Sequence, residues 1–296
     1  MKQLCNQAFA KENEHFRLFN FQLCFHRKAT HYFIFNIKER STFNFQLKYV
    51  HMKGIIRIIT MFFVFVVFVS CKQNGEWEQL FNGKDLSGWT IECQSQDIGK
   101  NFWTVEDGAI SCNSFDKGRH GHVWLVNERE FKDFEIHLKF QAFADSPGNS
   151  GLQFRSRYNS DLQGGWMNGP QVDINPPEPM PWRTGLIYDE TYKEKRWIYP
   201  NLPGWEMPEE YKPEKFIMKY SENGDEWNEL VLICKGMHVK TIVNGIVRIE
   251  WDATGTLDNE SHKKHNVGES GRFAFQLPGD NMLKIKYKDI RVKELK

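Results

Sequence analysis

The clearest pattern in the chain is an alternation of apolar and polar residues with a period of two. It runs through residues 134–140 (FEIHLKF) and returns in residues 151–157 (GLQFRSR). Because successive side chains of a strand point to opposite faces, this alternation predicts strands with one buried and one solvated face. In the second segment it places Arg155 on the face opposite Leu152 and Phe154.

Turn signals between apolar runs predict hairpins. Asp107-Gly108 and Asn244-Gly245 are dipeptides that favour two-residue hairpin turns. Many short strands without an amphipathic helix of three turns predict an all-β domain, either a two-sheet sandwich or a barrel. Residues 159–213 are rich in Pro, Gly, Trp and Tyr, and they predict a long irregular stretch of the kind that carries function.

The N-terminal part of the chain carries an export signal. Lys53 and Arg57 precede an apolar run at residues 58–69, which ends at Ser70-Cys71. This run is shorter than the about 20 apolar residues that span a bilayer, and it has the order of a secretory signal peptide. The alternative is a membrane signal anchor behind a cytoplasmic segment.

Residues 68–71 (FVSC) resemble a bacterial lipobox, in which Cys71 would carry the lipids. The expected location is therefore outside the cytoplasm, on the bacterial cell envelope, with the membrane contacted through the lipid anchor. Cys71 as an ordinary cysteine at the end of an anchor is the alternative. The predicted organisation is an over-extended start (1–51), a lipoprotein signal peptide (52–71), a tether (72–76) and one domain (77–296).

Composition narrows the set of partners. The formal net charge is +1, so no overall field attracts a polyanion, and nucleic acid is excluded as an expected partner. Aromatic residues make up 15% of the chain, which fits either sugar-stacking surfaces or an aromatic core. Cys93 and Cys112 either form one bridge or, as we favour, stay as buried free thiols.

An ordered set of short motifs resembles a known family. The set includes residues 81–89 (FNGKDLSGW), 148–155 (GNSGLQFR), 169–174 (GPQVDI) and 288–292 (KDIRV). Over residues 77–296 the chain resembles the 3-keto-disaccharide hydrolase domain family, which is common in exported proteins of Bacteroidetes. The resemblance implies a concanavalin A-like jelly-roll sandwich of two antiparallel sheets, with a carbohydrate site on one concave face.

The resemblance also implies an activity, the cleavage of glycosides already oxidised at the sugar 3-position. Such a ketone acidifies the C2 proton, so the site needs a base, a donor for the ketone oxygen and an acid for the leaving oxygen. We expect Asp173 to be the base, with Gln171 on the same strand face. Arg155 is the expected partner of the oxyanion and Glu190 the expected acid. Each role has an alternative. Asp173 could order the following loop, Arg155 could form a surface salt bridge, and Glu190 could lie in a solvent-exposed acidic turn.

Further residues are candidates for substrate binding. Arg183 lies in the segment that would follow the central strand, and His122 could bind a metal or donate a proton, although a structural histidine is the safer expectation. His262 and His265 fit a solvated charged loop. A divalent metal ion is compatible with the implied chemistry, but no motif specifies one. The loop aromatics expected to stack on sugars, or else to pack the long loop on itself, are Trp166, Trp182 and Trp197.

Three kinds of protein compete on this sequence. A hydrolase or lyase of 3-keto-glycosides would bring Asp173, Glu190 and Arg155 into one pocket. A non-catalytic carbohydrate-binding lipoprotein would show an aromatic platform with few charges. A purely structural envelope lipoprotein would leave residues 159–213 without a pocket. The fold alone does not decide among them, because the same scaffold hosts both enzymes and lectins.

Overall fold

The computed structural model describes residues 75–296, which form a β-rich domain. In chain order its elements are β1 (Glu78–Gln79), β2 (Trp89–Cys93), β3 (Trp103–Glu106), β4 (Ala109–Asn113), β5 (Val123–Phe131), β6 (Phe134–Phe143), β7 (Ser150–Asn159), β8 (Trp166–Asn168), β9 (Pro170–Ile174), β10 (Ile187–Asp189), β11 (Arg196–Tyr199), β12 (Tyr220–Ser221), β13 (Asn228–Lys235), β14 (His238–Val243), β15 (Ile246–Asp252), α1 (Glu260–His265), β16 (Gly271–Leu277) and β17 (Lys284–Glu294). Short 3₁₀ turns lie at Ser95–Asp97, Pro181–Arg183 and Glu209–Tyr211.

The strands form two sheets. Sheet A has the order β15-β14-β13-β6-β17-β4-β3, with β1 beside β17 and β12 beside β6. Sheet B has the order β11-β10-β9-β7-β16-β5-β2, with β8 beside β7. Neighbouring strands are antiparallel except for the short β12–β6 pair. The predicted all-β sandwich of two antiparallel sheets is therefore confirmed.

The predicted hairpins also form. Asp107 and Gly108 join β3 to β4, and Asn244 and Gly245 join β14 to β15. All four residues have positive φ, between 49° and 79°. A two-residue turn of this kind needs a left-handed backbone at both positions, and Asn, Asp and Gly reach that region at the lowest cost.

The core lies between the two sheets and follows the alternation read from the sequence. In β6, Phe134, Ile136, Leu138 and Phe140 are buried in it, and the residues between them are partly exposed. Across the sandwich, the rings of Phe275 from β16 and Tyr287 from β17 stack with centroids 3.8 Å apart. The core excludes water from the facing sides of the two sheets. A stacked aromatic pair stabilises the fold beyond the burial of its apolar surface.

Tyr287 also shows how the core satisfies its polar atoms. The buried hydroxyl of Tyr287 lies 2.8 Å from Ser150 Oγ, and the Ser150 hydroxyl donates to the carbonyl oxygen of Gln276 at 2.6 Å. The chain of hydrogen bonds joins sheet A to sheet B, because Tyr287 belongs to β17 and Ser150 to β7. A buried hydroxyl without a partner would instead lose its hydration free energy uncompensated.

The stretch at residues 159–213 is less irregular than its composition indicated. It contains β8, β9, β10 and β11, and these strands extend sheet B or pair with its strand β7. Strands of three to five residues that are buried on both faces show no alternation, so the sequence pattern does not reveal them. On the outer face of sheet B, the insertion adds Trp166 and Met167 to a small second cluster with Trp124.

The expectation that His262 lies in a solvated loop is wrong. The side chain is fully buried in α1, and its Nε2 lies 3.1 Å from Oδ2 of Asp189. Burial alone would lower the pKa of His262, but the hydrogen bond and charge of Asp189 outweigh it and raise the pKa. The ion pair ties α1 to the end of β10, one residue before Glu190.

Several predictions concern the start of the chain. The extension (1–51), the signal peptide with Cys71 (52–71) and tether residues 72–74 lie outside the described residues. Within residues 75–296, no helix combines the length and apolar character that a membrane span requires. Cys93, Cys112 and Cys234 are free thiols, as favoured from the sequence.

Candidate active site

A cleft of about 440 Å³ lies on the outer face of sheet B. In β9, Val172 and Ile174 belong to the core, so Gln171 and Asp173 point to the opposite face by alternation. Tyr188 from β10 and Trp197 from β11 line the same cleft. We call it the carboxylate cleft, because Asp173 and Glu190 both line it.

Asp173 is buried and firmly held. Its Oδ1 accepts from Gln171 Nε2 at 3.1 Å, and its Oδ2 accepts from Asn175 Nδ2 at 2.7 Å. Burial raises the pKa of Asp173 to about 6, against the opposing effects of these hydrogen bonds and of the charge on Arg183. Above that pH the carboxylate is ionised and fixed in orientation, which suits a general base.

Gln171 acts behind Asp173 and does not line the cleft. On β7, Gly151 pairs with Asp173 and lets the neighbouring Gln171 side chain approach closely, since a Cβ on Gly151 would lie 2.3 Å from Gln171 Cδ. The glycine is required here for space and not for backbone freedom. The predicted substrate-binding role of Gln171 is therefore replaced by a role in orienting the Asp173 carboxylate.

Glu190 is the second buried acid. Its Oε1 accepts from Gln276 Nε2 at 2.9 Å, and the indole of Trp166 donates to its backbone oxygen at 2.6 Å. Burial raises the pKa of Glu190 to about 7; Gln276 opposes this, and the negative charge of Asp173 adds to it. A solvent-exposed acidic turn, the alternative weighed from the sequence, does not describe this residue. Glu190 can hold a proton near neutral pH and donate it.

Two cations face the acids. Arg183 lines the cleft with its guanidinium 5.7 Å from the centroid of Trp197, and its buried Nε has no hydrogen-bond partner. Lys195 Nζ lies 3.9 Å from the centroid of Trp166. The Arg183 charge lowers the pKa of Asp173, whereas Lys195 lowers that of Glu190. Each acid therefore has its own neighbouring cation.

His122 also lines the cleft, at the end beside Trp166. Its ring lies 4.6 Å from Trp166 and 5.6 Å from Trp124 between centroids. Burial lowers the pKa of His122 to about 4, and the charge of Lys195 contributes. The imidazole is thus neutral at pH 7 and offers hydrogen bonds there, but not a readily donated acidic proton.

The expectation that Arg155 shares this surface is wrong. The side chain is fully buried, and its guanidinium donates to the carbonyl oxygens of Lys132 and Gly268 and to Asp133. It also lies 6.0 Å from the ring centroid of Phe134, a core residue. Arg155 therefore stabilises the fold and does not contact the cleft.

A β-bulge explains the error. Against β16, the register moves from Ser156 opposite Arg272 to Gln153 opposite Ala274, so β7 has one extra residue at this point. Arg155 takes a φ of 49° in the bulge. The extra residue breaks the period of two, and the face assigned by alternation no longer applies beyond Gln153.

The predicted sugar-stacking tryptophans have other surroundings. Trp182 is packed in the main core, so its prediction is wrong. Trp166 and Trp197 line the cleft, but they are buried, with Lys195 near one ring and Arg183 near the other. The indole that is open to solvent at the cleft is Trp205, which is 67% exposed. Trp197 Nε1 donates to the Trp205 carbonyl oxygen at 2.7 Å and holds that part of the loop.

Several cleft residues come from segments without a motif, so no pattern in the sequence predicted them. Trp205 and Lys195 lie in the irregular insertion, and Asn281 lies in a loop after β16. Asn149 is the exception: it lies inside a quoted family motif, two residues before Gly151, and its side chain lowers the pKa of Asp173. For Asn149, its place in that motif was a sequence signal that could have predicted a position in the cleft.

No motif in the sequence specifies a metal ion. Within residues 75–296, no cluster of three or more His, Cys, Asp or Glu groups is arranged to hold a metal ion. The protein groups of the cleft thus do not form a complete ligand set, and we derive no step through a metal.

The domain is thus a β-sandwich with two buried acids and two cations in a cleft on one sheet. Residues 76–293 match the 3-keto-alpha-glucoside-1,2-lyase-like domain, and the chain belongs to that family. No curated protein matches the sequence.

Solved structures that are similar to this chain in fold include a candidate glycosyl hydrolase from Parabacteroides distasonis. It is 22% identical, with 74% of this chain and 94% of that chain covered and a TM-score of 0.50. A second candidate glycosyl hydrolase from that organism is 19% identical over 74% and 100% of the two chains, with a TM-score of 0.47. A Bacillus subtilis protein of unknown function with a galectin-like fold is 13% identical over 74% and 94%, with a TM-score of 0.47. The two antiparallel sheets form a sandwich, as the resemblance implied.

Replacement of Arg155 tests its structural role. We expect Arg155→Met to lower the free energy of unfolding by about 3 kcal/mol, because it leaves buried acceptors without their donor. Chemical denaturation measures the change, with Arg119→Met as a control, since Arg119 pairs with Asp280 on the exposed surface. An unchanged free energy of unfolding would contradict the assignment, as would a large rise in KM in the folded variant.

Proposed function

We propose that the protein cleaves glycosides oxidised at the sugar 3-position by proton abstraction at C2 and elimination at C1. The observation that carries this proposal is the convergence of Asp173 and Glu190 in one cleft, with their pKa raised to about 6 and about 7. Two acids with different pKa values near neutrality suit one base and one acid. The family description, a 1,2-lyase, supports an elimination across C1 and C2.

In the first step, Asp173 removes the C2 proton. The electron pair of the C2–H bond forms a C2–C3 double bond, and the ketone oxygen becomes an enolate oxygen. Arg183 lies beside Asp173 and carries an Nε without a partner, so it replaces Arg155 as the group that stabilises this negative charge. A guanidinium offers several donors in a fixed plane for that purpose.

In the second step, the ketone re-forms as the electron pair moves to make a C1–C2 double bond. The bond from C1 to the leaving oxygen breaks, and Glu190 gives its proton to that oxygen. The products are an alcohol and a 2-hydroxy-3-keto-glycal. Water can then add across the double bond, with its oxygen bonding to C1 and a proton returning to C2, which gives the free 3-keto sugar.

A non-catalytic carbohydrate-binding protein is the competing function. Such a site relies on exposed aromatic rings, and Trp205 is one at this cleft. Two buried carboxylates with raised pKa values and two neighbouring cations would, however, cost folding free energy without serving a neutral sugar. We therefore favour the enzyme.

The activity test compares a 3-keto-glucoside with its unoxidised parent. We expect cleavage of the keto compound alone, and a loss of at least about 100-fold in kcat/KM in Asp173→Asn and in Glu190→Gln. Asp161→Asn, a change at an exposed acid, is the matched control. An added chelator tests the divalent ion separately. Cleavage of the unoxidised parent would overturn the elimination mechanism.

Deuterium exchange in the same experiment separates the two roles. In D₂O, Glu190→Gln should still exchange the C2 proton while cleavage is slow, because Asp173 remains as the base. Asp173→Asn should lose both exchange and cleavage. If Asp173→Asn kept the exchange of the C2 proton and Glu190→Gln lost it, Glu190 would be the base and Asp173 the acid.

The pH dependence follows from the two pKa values. Asp173 must be unprotonated, so kcat/KM should rise as pH passes about 6, and Glu190 must be protonated, so it should fall above about 7. We expect a narrow maximum between these values, measured with the keto substrate. In Glu190→Gln the alkaline limb should disappear; a limb that persists there would show that another group is the acid.

We also propose that the protein is exported and lipid-anchored to the cell envelope through Cys71. The basic, apolar and small-residue order of residues 53–71 supports this. In a bacterial host, labelled palmitate should be incorporated into the protein and lost in Cys71→Ala. Incorporation that survives this substitution, or none in the unaltered protein, would contradict the anchor.

A further inference from the structure

A second cleft, of about 460 Å³, lies where the two sheets end. Its walls come from β11, the last strand of sheet B, and from β15, the last strand of sheet A. Leu186 and the chain segment at residues 200–213 complete the lining. We call it the edge cleft. The residues that line it are not those that line the carboxylate cleft, so it is a separate site.

Three aromatic residues line the edge cleft. Tyr199 from β11 and Trp251 from β15 are half-buried, with ring centroids 5.6 Å apart and planes inclined by 46°. Tyr211 is 43% exposed. Rings set at an angle offer apolar faces to the C–H groups of a sugar, and the two phenol hydroxyls can bond its hydroxyl groups. Asn201 adds an amide.

Arg248 is the one charged residue among the residues that line this cleft. Its Nε donates to the Thr184 carbonyl oxygen at 3.1 Å, and its Nη2 donates to that of Trp182 at 2.7 Å. Both acceptors are neutral, and within residues 75–296 no carboxylate forms an ion pair with it. Burial lowers the pKa of Arg248. A partly buried positive charge without a counter-charge is a feature of anion-binding sites.

We propose that the edge cleft binds a sugar that carries an oxyanion, either a carboxylate or a sulfate. The aromatic rings take the sugar ring, and the guanidinium of Arg248 takes the anionic group. The volume is within the range of small-molecule sites. No residue lines both this cleft and the cleft of Asp173 and Glu190.

Binding is tested by NMR titration of the full-length protein with three sugars. They are methyl glucuronide, glucose 6-sulfate and methyl glucoside, which has no charge. We expect one or both anionic sugars to bind at least about tenfold more tightly than the neutral one, and added salt to weaken this binding. The first two separate a carboxylate from a sulfate. A further titration with 4-hydroxybenzoate tests whether the sugar ring is needed.

Substitutions assign the binding to a cleft. Tyr211→Ala should weaken the binding of the anionic sugar about tenfold without changing turnover of a 3-keto-glucoside, whereas Trp205→Ala, in the carboxylate cleft, should leave the binding unchanged. Arg248→Gln should remove the preference for the anionic sugar. Since Arg248 also holds two carbonyl groups, Tyr211→Ala keeps the test decisive if the Arg248 variant does not fold.

Four results would overturn the proposal. They are equal binding of neutral and anionic sugars, absence of binding, binding of 4-hydroxybenzoate as tight as that of the sugars, and loss of binding in Trp205→Ala but not in Tyr211→Ala. None of them bears on the cleavage of 3-keto-glycosides.

Discussion

The burial of two carboxyl groups beside each other is the constraint on which the site depends. Asp173 and Glu190 are both removed from water, and the negative charge of Asp173 raises the free energy of ionising Glu190. The fold offsets that cost with side-chain amides: Gln171 and Asn175 bind Asp173, and Gln276 binds Glu190. Burial raises both pKa values, and that of Asp173 stays below that of Glu190 because an aspartate has the lower ordinary pKa and because the charge of Asp173 raises the pKa of Glu190 further. The difference in pKa distinguishes a base from an acid in a pair of like groups.

Sheet B supplies this support through its strand order. Gln171 and Asp173 share β9, and Gly151 lies opposite Asp173 on β7. Gln276 reaches Glu190 from β16, on the other side of β7. The acids are thus oriented by groups on rigid, paired strands, whereas Trp205 comes from an irregular loop. Rigid elements preserve the geometry that proton transfer needs.

The turn at residues 182–184 connects the two clefts. Arg183 faces the carboxylate cleft, and Arg248 binds the carbonyl groups on either side of it, at Trp182 and Thr184. Gly185 leaves room for this contact, because a Cβ there would lie 2.5 Å from Arg248 Cγ. The position of Arg183 therefore depends on a residue from sheet A. These contacts explain why an arginine in the long insertion can serve as a fixed cation.

Local patterns in the sequence were sufficient for the elements whose physics is local. The alternation of β6 and the Asp-Gly and Asn-Gly turns predicted buried faces and hairpins, since side-chain direction and turn conformation depend on neighbouring residues. The resemblance to the family pointed to Asp173 and Glu190. The tertiary structure alone decided that Arg155 leaves the site, because a bulge is defined by the partner strand. It also decided that Trp182 lies in the core, that His262 pairs with Asp189, and that Trp205 and Lys195 line the cleft. Each of these depends on contacts between residues distant in the chain, which no local pattern encodes.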